Sequence, residues 1–361
     1  MTDAKYYMTE KFCRNLSNSV YLQENNGQVL YQPCCWVPVS RIPIKNKIDL
    51  LEARHQIITH VRSDTENSCR ECLGREKNGF NQSQRISANM LIPENARFGD
   101  PYSLTVQIDT TCNAACVTCG PHFSSLWQKQ ENPSAKLKDY TKQYQDIIAS
   151  VDFNKLKRII FLGGEPLLGL HNITLLKQIK NPEDVTVTYT TNGSVFPDDE
   201  LIEQWKRFKY VNMVFSIDGT DEQFEYIRWP LSWEKVNENI KRFVELSKTV
   251  NFKFMINSTI NPLNIYYFDK LEKWSSQYPI ENVMTSACYG AWGIEATPLK
   301  MREHIKDKFG SDHKLVQLLN SYPDESWKLE SLLNNAQSID EKRNLSHRHV
   351  FADALKIMHI Q

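Results

Sequence analysis

The sequence predicts an α/β fold built as a partial (β/α)6 TIM-like barrel. From about residue 102 onward, short segments rich in β-branched and aromatic residues alternate with helical segments, which is typical of parallel strands joined by right-handed crossovers. The predicted strands are Tyr102–Ile108, Arg158–Leu162, Val185–Thr190, Val211–Ile217, Phe252–Ile260 and Asn282–Cys288. The predicted helices are Ser124–Glu131, Lys138–Ser150, His171–Lys180, Asp198–Phe208, Trp233–Lys248 and Ile265–Gln277.

The length of 361 residues exceeds what one hydrophobic core usually holds, so more than one domain is expected. We assign residues 1–95 to a small cysteine-rich domain, 96–295 to the barrel and 296–361 to a helical extension. The extension is predicted to contain helices at Leu299–Phe309, Lys314–Tyr322, Ser326–Leu333 and Val350–Ile357. We expect these helices to cover the open edge of the barrel or to shape substrate access.

Charge and hydropathy exclude several functional classes. The 43 basic and 43 acidic residues cancel, which argues against a general grip on nucleic acid. No stretch approaches the ~20 apolar residues of a membrane span, and the first residues lack the apolar core of a signal peptide. Nine cysteines without an export signal are expected to be metal ligands in a reducing compartment, so we predict a cytoplasmic protein.

The most informative segment holds three cysteines, Cys112, Cys116 and Cys119, on one short loop. Thiolates are soft ligands that favour zinc or iron–sulfur clusters. A structural zinc site needs a fourth protein ligand to close its tetrahedron. A cubane cluster can instead be held at three corners, which leaves one iron open to an exchangeable ligand. The triplet therefore points to chemistry rather than to structure alone.

Three further motifs follow successive predicted strands: Gly163-Gly164-Glu165-Pro166, Thr190-Thr191-Asn192-Gly193 and Ser216-Ile217-Asp218-Gly219. The cysteine loop follows the first strand, so all four motifs fall at carboxyl ends of strands, where parallel α/β barrels carry their chemistry. Paired glycines let a backbone approach a ligand closely, and Glu165 offers a carboxylate to an ammonium group. On its own, a Gly-Gly pair after a strand is a tight turn.

In spacing and order, these motifs resemble those of the radical S-adenosylmethionine (radical SAM) enzymes. The resemblance implies that Cys112, Cys116 and Cys119 hold a 4Fe–4S cluster whose open iron binds SAM. It implies further that Gly163, Gly164, Glu165 and Pro166 bind the SAM amino group. Ser216 and Asp218 would meet the ribose, and Thr191 and Asn192 form the loop between. Members of this family take electrons from external donors such as flavodoxin or ferredoxin.

Thr118 occupies the place where many members carry an aromatic residue against the adenine, so backbone groups of Thr118 and Gly120 would serve that contact. Arg228 is expected to meet a carboxylate of SAM or substrate, or to form a surface ion pair. Cys288, at the end of the sixth strand, is a candidate hydrogen donor or a packed core residue. His347 and His349 lie in a polar segment and are expected to be solvated.

The amino-terminal segment carries five more cysteines, Cys13, Cys34, Cys35, Cys69 and Cys72. Val20–Gln32 is predicted to be a hairpin that turns at Asn25-Asn26-Gly27. Ile48–Val61 is a predicted helix, and Cys69-Arg70-Glu71-Cys72 opens another helix toward Ser87. Adjacent residues of an extended strand point to opposite sides, so only one of Cys34 and Cys35 should reach a metal shared with the other three. Four thiolates would hold either zinc or a 4Fe–4S cluster.

This arrangement resembles the amino-terminal Twitch domain of radical SAM proteins related to the SPASM enzymes. The resemblance rests on Cys13, Gly27, Pro33-Cys34-Cys35 and Cys69–Cys72 and implies an auxiliary 4Fe–4S cluster. It favours Cys34, which directly follows the proline. The second metal would then either hold a small domain together or relay electrons.

The resemblance implies a radical SAM enzyme that acts on a peptide or protein side chain. Two alternatives stay open: modification of a sugar, nucleoside or other small metabolite, and a peptide-binding scaffold that has lost its chemistry. The intact cysteine triplet and the Glu165 motif argue against the scaffold.

Overall fold

The computed structural model describes residues 13–25, 28–34, 37, 42–77, 83–107, 110–134, 141–169 and 171–360. The chain forms two compact units. Unit 1 comprises Met1–Thr110, Lys136–Tyr189 and Asp199–Val211, and unit 2 comprises Thr111–Ala135, Thr190–Asp198 and Asn212–Gln361. Each unit combines segments that are distant in sequence. These units are not divided at residues 95 and 295, and the three domains proposed from the sequence remain a prediction.

Unit 1 contains a mixed sheet with the strand order β3-β2-β1-β4-β5-β6. Its strands are β1 (Ser19–Asn25), β2 (Gln28–Gln32), β3 (Ile42–Pro43), β4 (Ser103–Gln107), β5 (Arg158–Phe161) and β6 (Thr186–Thr191). β1 and β2 form the predicted antiparallel hairpin, and β1 also pairs in parallel with β4. β4, β5 and β6 continue the parallel pairing. The amino-terminal hairpin thus extends the sheet that the barrel strands begin.

The helices of unit 1 cover this sheet. They are α1 (Asn15–Asn18), α2 (Lys47–Ser63), α3 (Thr65–Ser68), α4 (Arg70–Lys77), α5 (Gln84–Leu91), α7 (Thr141–Ser150), α8 (His171–Gln178) and α9 (Asp199–Trp205), while α6 (Ser125–Glu131) belongs to unit 2. α9 places Trp205 edge-on to Tyr189 of β6 at 5.3 Å, and Tyr189 stacks on Phe161 of β5 at 4.9 Å. Burial of these large rings is the main source of stability at this contact.

Helix α2 is joined to the hairpin by a buried arginine. Arg54 is fully buried, and its guanidinium donates to the hydroxyl of Tyr31 at 3.3 Å and to the carbonyl of Ser19 at 3.2 Å. A buried cation needs such partners because desolvation is costly. Helix α2 is therefore attached to the hairpin by hydrogen bonds of a buried side chain.

Unit 2 contains the strands β7 (Tyr210–Ser216), β8 (Phe252–Ile260) and β9 (Ile280–Ala287), in that order. β8 pairs with β9 in parallel, from Phe254 opposite Ile280 to Ile260 opposite Ala287. The remaining helices are α10 (Asp221–Ile227), α11 (Trp233–Leu246), α12 (Phe268–Ser275), α13 (Leu299–Phe309), α14 (Lys314–Asn320), α15 (Leu329–Arg343), α16 (His347–Val350) and α17 (Ala352–Ile357). The predicted mixed α/β class with parallel strands, consistent with a partial barrel, and the helical carboxyl-terminal region are both confirmed.

The structure differs from the predicted helices in three places. Helix α10 was not predicted, although it separates Asp218 from Arg228. The predicted helix Ser326–Leu333 is a 3₁₀ turn followed by α15, which runs ten residues further, to Arg343. The helix predicted from Cys69 toward Ser87 is instead two helices, because Ser83 caps the start of α5 by accepting a hydrogen bond from the Ile86 amide. Across the described part of the chain, no helix has the length and apolar character needed to cross a membrane.

Candidate functional site

The cysteine loop of unit 2 is held by the first turn of α6. Ser125 Oγ accepts from the Cys112 amide at 3.0 Å and donates to the Cys112 carbonyl at 3.2 Å. Ser124 Oγ donates to the Ala114 carbonyl at 2.6 Å and accepts from the Trp127 amide at 3.2 Å, so it also caps the helix. Two adjacent serines therefore fix the helix start and the loop together.

The opposite side of the loop pairs with the segment after α10. The Ala115 amide donates to the Trp229 carbonyl at 2.7 Å, and the Val117 amide donates to the Ile227 carbonyl at 2.8 Å. The indole of Trp127 donates to the Cys116 carbonyl at 2.8 Å. Hydrogen bonds to α6 and to residues 227–229 therefore hold the backbone of the loop that carries Cys112 and Cys116.

The three thiols influence one another electrostatically. Burial raises the pKa of Cys116 to about 12, the nearby Arg228 guanidinium lowers it, and Cys119 and Cys112 raise it. Cys116 is buried, Cys112 is partly buried and Cys119 is exposed. In the residues that the structure covers, no group of three or more His, Cys, Asp or Glu side chains converges on a position for a single metal ion. A 4Fe–4S cluster is larger, and each cysteine binds a different iron, so three cysteines on one short loop fit it and would bind as thiolates.

A network of amides and hydroxyls joins the cysteine loop to the loop that contains Asn192. Asn192 Nδ2 donates to Asn113 Oδ1 at 3.0 Å, and Asn113 Nδ2 donates to Ser194 Oγ at 2.8 Å. Ser194 returns two hydrogen bonds to Asn192 Oδ1, from its amide at 2.9 Å and its hydroxyl at 2.6 Å. Gly193 has a φ of +76°, a conformation that favours glycine, and a Cβ there would lie 3.2 Å from Val236 Cγ1. The structure thus brings together two of the motifs predicted to act jointly.

Asp218 and Arg228 form a buried ion pair beside Cys116. Arg228 Nη2 lies 2.7 Å from Asp218 Oδ2, and Arg228 Nη1 lies 4.0 Å from Cys116 Sγ. Asp218 Oδ1 accepts from the Thr259 amide at 2.7 Å. Burial raises the pKa of Asp218, and the Arg228 guanidinium opposes this effect. Arg228 is therefore not in the surface ion pair that sequence reasoning kept as an alternative.

Cys288 lies just past the end of β9 and is 4% exposed. Its amide donates to the Ile260 carbonyl at 2.9 Å. Burial raises the pKa of its thiol to about 12, and the Asp218 carboxylate adds to this rise. The thiol is therefore protonated at neutral pH.

The Gly163–Pro166 motif belongs to unit 1, where it follows β5. Gly163 has a φ of +140°, and Glu165 is 2% exposed. Glu165 Oε1 accepts from the Leu167 amide at 3.0 Å and thereby caps a 3₁₀ turn that begins at Pro166. A buried carboxylate favours a cationic partner, because burial strengthens a charge-assisted hydrogen bond.

The amino-terminal cysteines gather in unit 1. Cys13, Cys69 and Cys72 are buried, Cys34 is partly buried, and Cys35 and Gly27 lie outside the described residues. Burial raises the pKa of the Cys13 thiol most strongly, and Cys34, Cys69 and Cys72 each raise it further. The thiols of Cys34, Cys69 and Cys72 therefore each lie within electrostatic range of Cys13. No disulfide joins any of the eight cysteines in the described ranges.

The sequence analysis did not predict the positions of two sets of side chains. Asn113 and the serine pair at 124 and 125 hold the cysteine loop, and only the position of a Ser-Ser pair at a predicted helix start could have indicated this. His347 was expected to be solvated but is 1% exposed, because its amide and its Nδ1 both bond Asp340 Oδ2, at 2.8 and 2.6 Å. His349 is exposed, as expected, and so is His122.

Comparisons with known proteins show a similarity to one family. Residues 106–266 match the model of the radical SAM superfamily. None of the curated proteins matches this chain.

Among solved structures, Streptococcus suis SuiB bound to precursor peptide SuiA is 15% identical with a TM-score of 0.41, over 72% of this chain and 50% of that one. anSMEcpe with bound AdoMet is 18% identical with a TM-score of 0.41, over 61% and 60%. Native anSMEcpe with bound AdoMet and Cp18Cys peptide is 17% identical with a TM-score of 0.40, over 62% of each chain. The matched parts thus span half to about three fifths of those structures.

Proposed function

We propose that the protein is a radical SAM enzyme that cleaves S-adenosylmethionine reductively and abstracts hydrogen from a substrate, and the match of residues 106–266 to the model of the radical SAM superfamily supports this. The observation that carries this proposal is the loop of Cys112, Cys116 and Cys119, whose backbone is held by hydrogen bonds to α6 and to the 227–229 segment. When bound there, a 4Fe–4S cluster supplies the electron that cleaves SAM to methionine and a 5′-deoxyadenosyl radical.

The protein would hold and shield the cluster. Ser124 and Ser125 bind one part of the loop and the 227–229 segment binds another, and these hydrogen bonds would limit the rearrangement of the loop backbone on loading. Burial of Cys116 limits water at that ligand, while Cys119 stays open to solvent. This division fits a site in which a co-substrate must enter from one side.

For SAM, we propose that Gly163 and Gly164 allow close backbone approach and that Glu165, ahead of Pro166, accepts the amino group. The buried position of the Glu165 carboxylate supports this role. Backbone groups at Thr118 and Gly120 would serve the adenine. In the ribose segment, Ser216 is partly exposed, and its strand lies next to the Asp218 turn.

Asn192 and Asp218 would act by positioning. The Asn192 side chain is tied to Asn113 of the cysteine loop, and Thr191 Oγ1 accepts from the Gly193 amide at 3.1 Å. Asp218 is committed to Arg228 and the Thr259 amide, so its carboxylate orients Arg228 beside Cys116. We propose that Arg228 meets the carboxylate of SAM or substrate from this position.

We also propose an auxiliary 4Fe–4S cluster on Cys13, Cys34, Cys69 and Cys72. The support is that three thiols from two other segments each lie within electrostatic range of Cys13, and that Cys13, Cys69 and Cys72 are buried. Complete ligation by four cysteines would favour electron relay over direct binding of substrate. The primary electron would come from an external one-electron donor of the flavodoxin or ferredoxin class.

We propose that the substrate is a peptide or protein side chain, because the amino-terminal cysteine arrangement resembles that of peptide-modifying members of the family. Cys288 is the candidate that would return hydrogen to a substrate radical. Its protonated, buried thiol near Asp218 supports this role, since a hydrogen-atom donor must keep its S–H. Replacement of Cys288 by alanine would then leave SAM cleavage intact and stop product formation, and unchanged product yield would refute it.

Iron analysis tests the two-cluster proposal. Anaerobically reconstituted protein should hold about eight irons per chain, from two four-iron cubanes. Replacing Cys112, Cys116 and Cys119 together by alanine should leave about half of that iron, because the four amino-terminal ligands remain. Cys288→Ala serves as the control and should retain all of it. A wild-type chain that binds only one zinc and no iron would contradict the proposal.

A further inference from the structure

Helix α15 brings a buried arginine from the carboxyl-terminal region to the cysteine loop. Arg343, in the last turn of α15, is 8% exposed. Its guanidinium carbon lies 4.5 Å from the ring centre of Trp127 and 4.9 Å from that of Trp229. Such a placement between two aromatic rings fixes a planar cation without removing its charge.

Both rings belong to segments that hold the cysteine loop. Trp127 donates its indole N–H to the Cys116 carbonyl at 2.8 Å, and the Trp229 carbonyl accepts from the Ala115 amide at 2.7 Å. Arg343 is therefore positioned by the same groups that position Cys116. Consistent with this geometry, the Cys116 thiol and the Arg343 guanidinium fall within electrostatic range of each other.

Among the residues that the structure describes, none places a carboxylate against the Arg343 guanidinium. Its Nη2 donates to the neutral Gln130 Oε1 at 3.1 Å, and its Nη1 is buried without a hydrogen-bond partner. Asp340, one turn earlier on α15, directs its carboxylate to His347 instead. Over the described ranges, Arg343 forms no ion pair with an acidic side chain. By contrast, the positive charge of Arg228 is matched by Asp218.

We propose that Arg343 is a positioning residue that supplies the uncompensated positive charge beside the SAM-binding cluster and thereby makes its one-electron reduction easier. This inference rests on the proposed function, since it requires a cluster at Cys112, Cys116 and Cys119. Reduction transfers one electron from the external donor to the cluster and adds one negative charge there. A fixed cation in a poorly solvated position stabilises that added charge more than the same cation in water would.

The test is the midpoint potential of the SAM-binding cluster in the full-length chain. Its reduced signal is followed by electron paramagnetic resonance during a dithionite titration, and it is recognised by its change when SAM is added. Arg343→Gln should lower the equilibrium constant for reduction about tenfold, a shift of about 59 mV to more negative potential for a one-electron couple. Arg343→Lys keeps the charge and should retain most of the wild-type potential. Lys342→Gln removes an exposed charge from the neighbouring position of α15 and should shift nothing, because solvent screens it.

Each outcome decides the inference. An unchanged potential in Arg343→Gln with full iron content would overturn it, as would equal shifts in Arg343→Gln and Arg343→Lys. If Arg343→Gln fails to load its cluster, Arg343→Lys alone must load and keep the wild-type potential, and any other result contradicts the inference. A wild-type chain without a SAM-sensitive signal would instead refute the proposed function itself.

Discussion

At the scale of single residues, the site depends on charged groups that the protein buries in complementary surroundings. Arg228 bridges the carboxylate of Asp218 and the sulfur of Cys116, at 2.7 and 4.0 Å, and Arg343 is fixed between two indoles. The sequence indicated Asp218 and Arg228 through motif position. It could not indicate that they pair with each other, because the helix between them determines their approach.

The Asp218–Arg228 pair should contribute to stability mainly through the cost of separating it. Asp218→Asn leaves a buried guanidinium without a carboxylate, so the free energy of unfolding should fall by about 3 kcal/mol. Urea denaturation of the metal-free protein measures this. Glu200→Gln breaks the exposed Lys177–Glu200 pair and should cost about 1 kcal/mol or less. Equal losses in the two variants would show that the buried pair has no special role.

Glu165 is expected to act on SAM rather than on cluster loading. Glu165→Gln keeps the shape of the side chain and removes its charge, so a hydrogen bond to an ammonium group would lose about 1.5–3 kcal/mol. The Kd for SAM, measured by calorimetry on the iron-loaded protein, should rise roughly tenfold to a hundredfold. Iron content should not change. A Kd for SAM within twofold of the wild-type value would show that Glu165 does not bind SAM.

At the scale of elements, local patterns predicted most strands and helices, and tertiary packing decided the rest. β8 has the predicted bounds, and the other five barrel strands agree to within two residues. The prediction ended the α15 helix near Leu333, although Ala336, Ile339 and Arg343 continue its buried face. The sequence did not indicate this longer helix because of Arg343. A charged residue at a core-facing position is expected to be exposed to solvent unless its aromatic partners are known.

Helix α6 contributes directly to the site, because the serine that caps its first turn also binds the cysteine loop. Ser124→Ala removes the helix cap and the hydrogen bond to Ala114, so stability should fall by about 1–2 kcal/mol and iron loading at this loop should decrease. Thermal unfolding and iron analysis measure the two effects. Ser232→Ala removes the cap of α11 and should destabilise without iron loss. If Ser124→Ala bound as much iron as the wild type, the cap of α6 would have no role in iron loading at the cysteine loop.

At the scale of the whole molecule, the mixed α/β fold was predictable because strand–helix alternation has few solutions. The partition into two units was not, since each unit assembles segments far apart in sequence. Pairing of β1 with β4 gives the clearest case. The amino-terminal hairpin was predicted from its turn, but only the structure reveals that it joins the sheet of the barrel strands. The residues of a turn can be recognised from the local sequence, whereas the strand with which a hairpin pairs in parallel depends on distant parts of the chain.

The central claim is that the three-cysteine loop supports reductive cleavage of SAM. The most direct test incubates the iron-loaded full-length chain with SAM and dithionite under anaerobic conditions and measures 5′-deoxyadenosine by mass spectrometry. We predict its formation by the wild type and by Cys288→Ala, and its loss when Cys112, Cys116 and Cys119 are replaced together. Absence of 5′-deoxyadenosine from fully iron-loaded wild-type protein with any low-potential reductant would contradict the claim and favour a binding role.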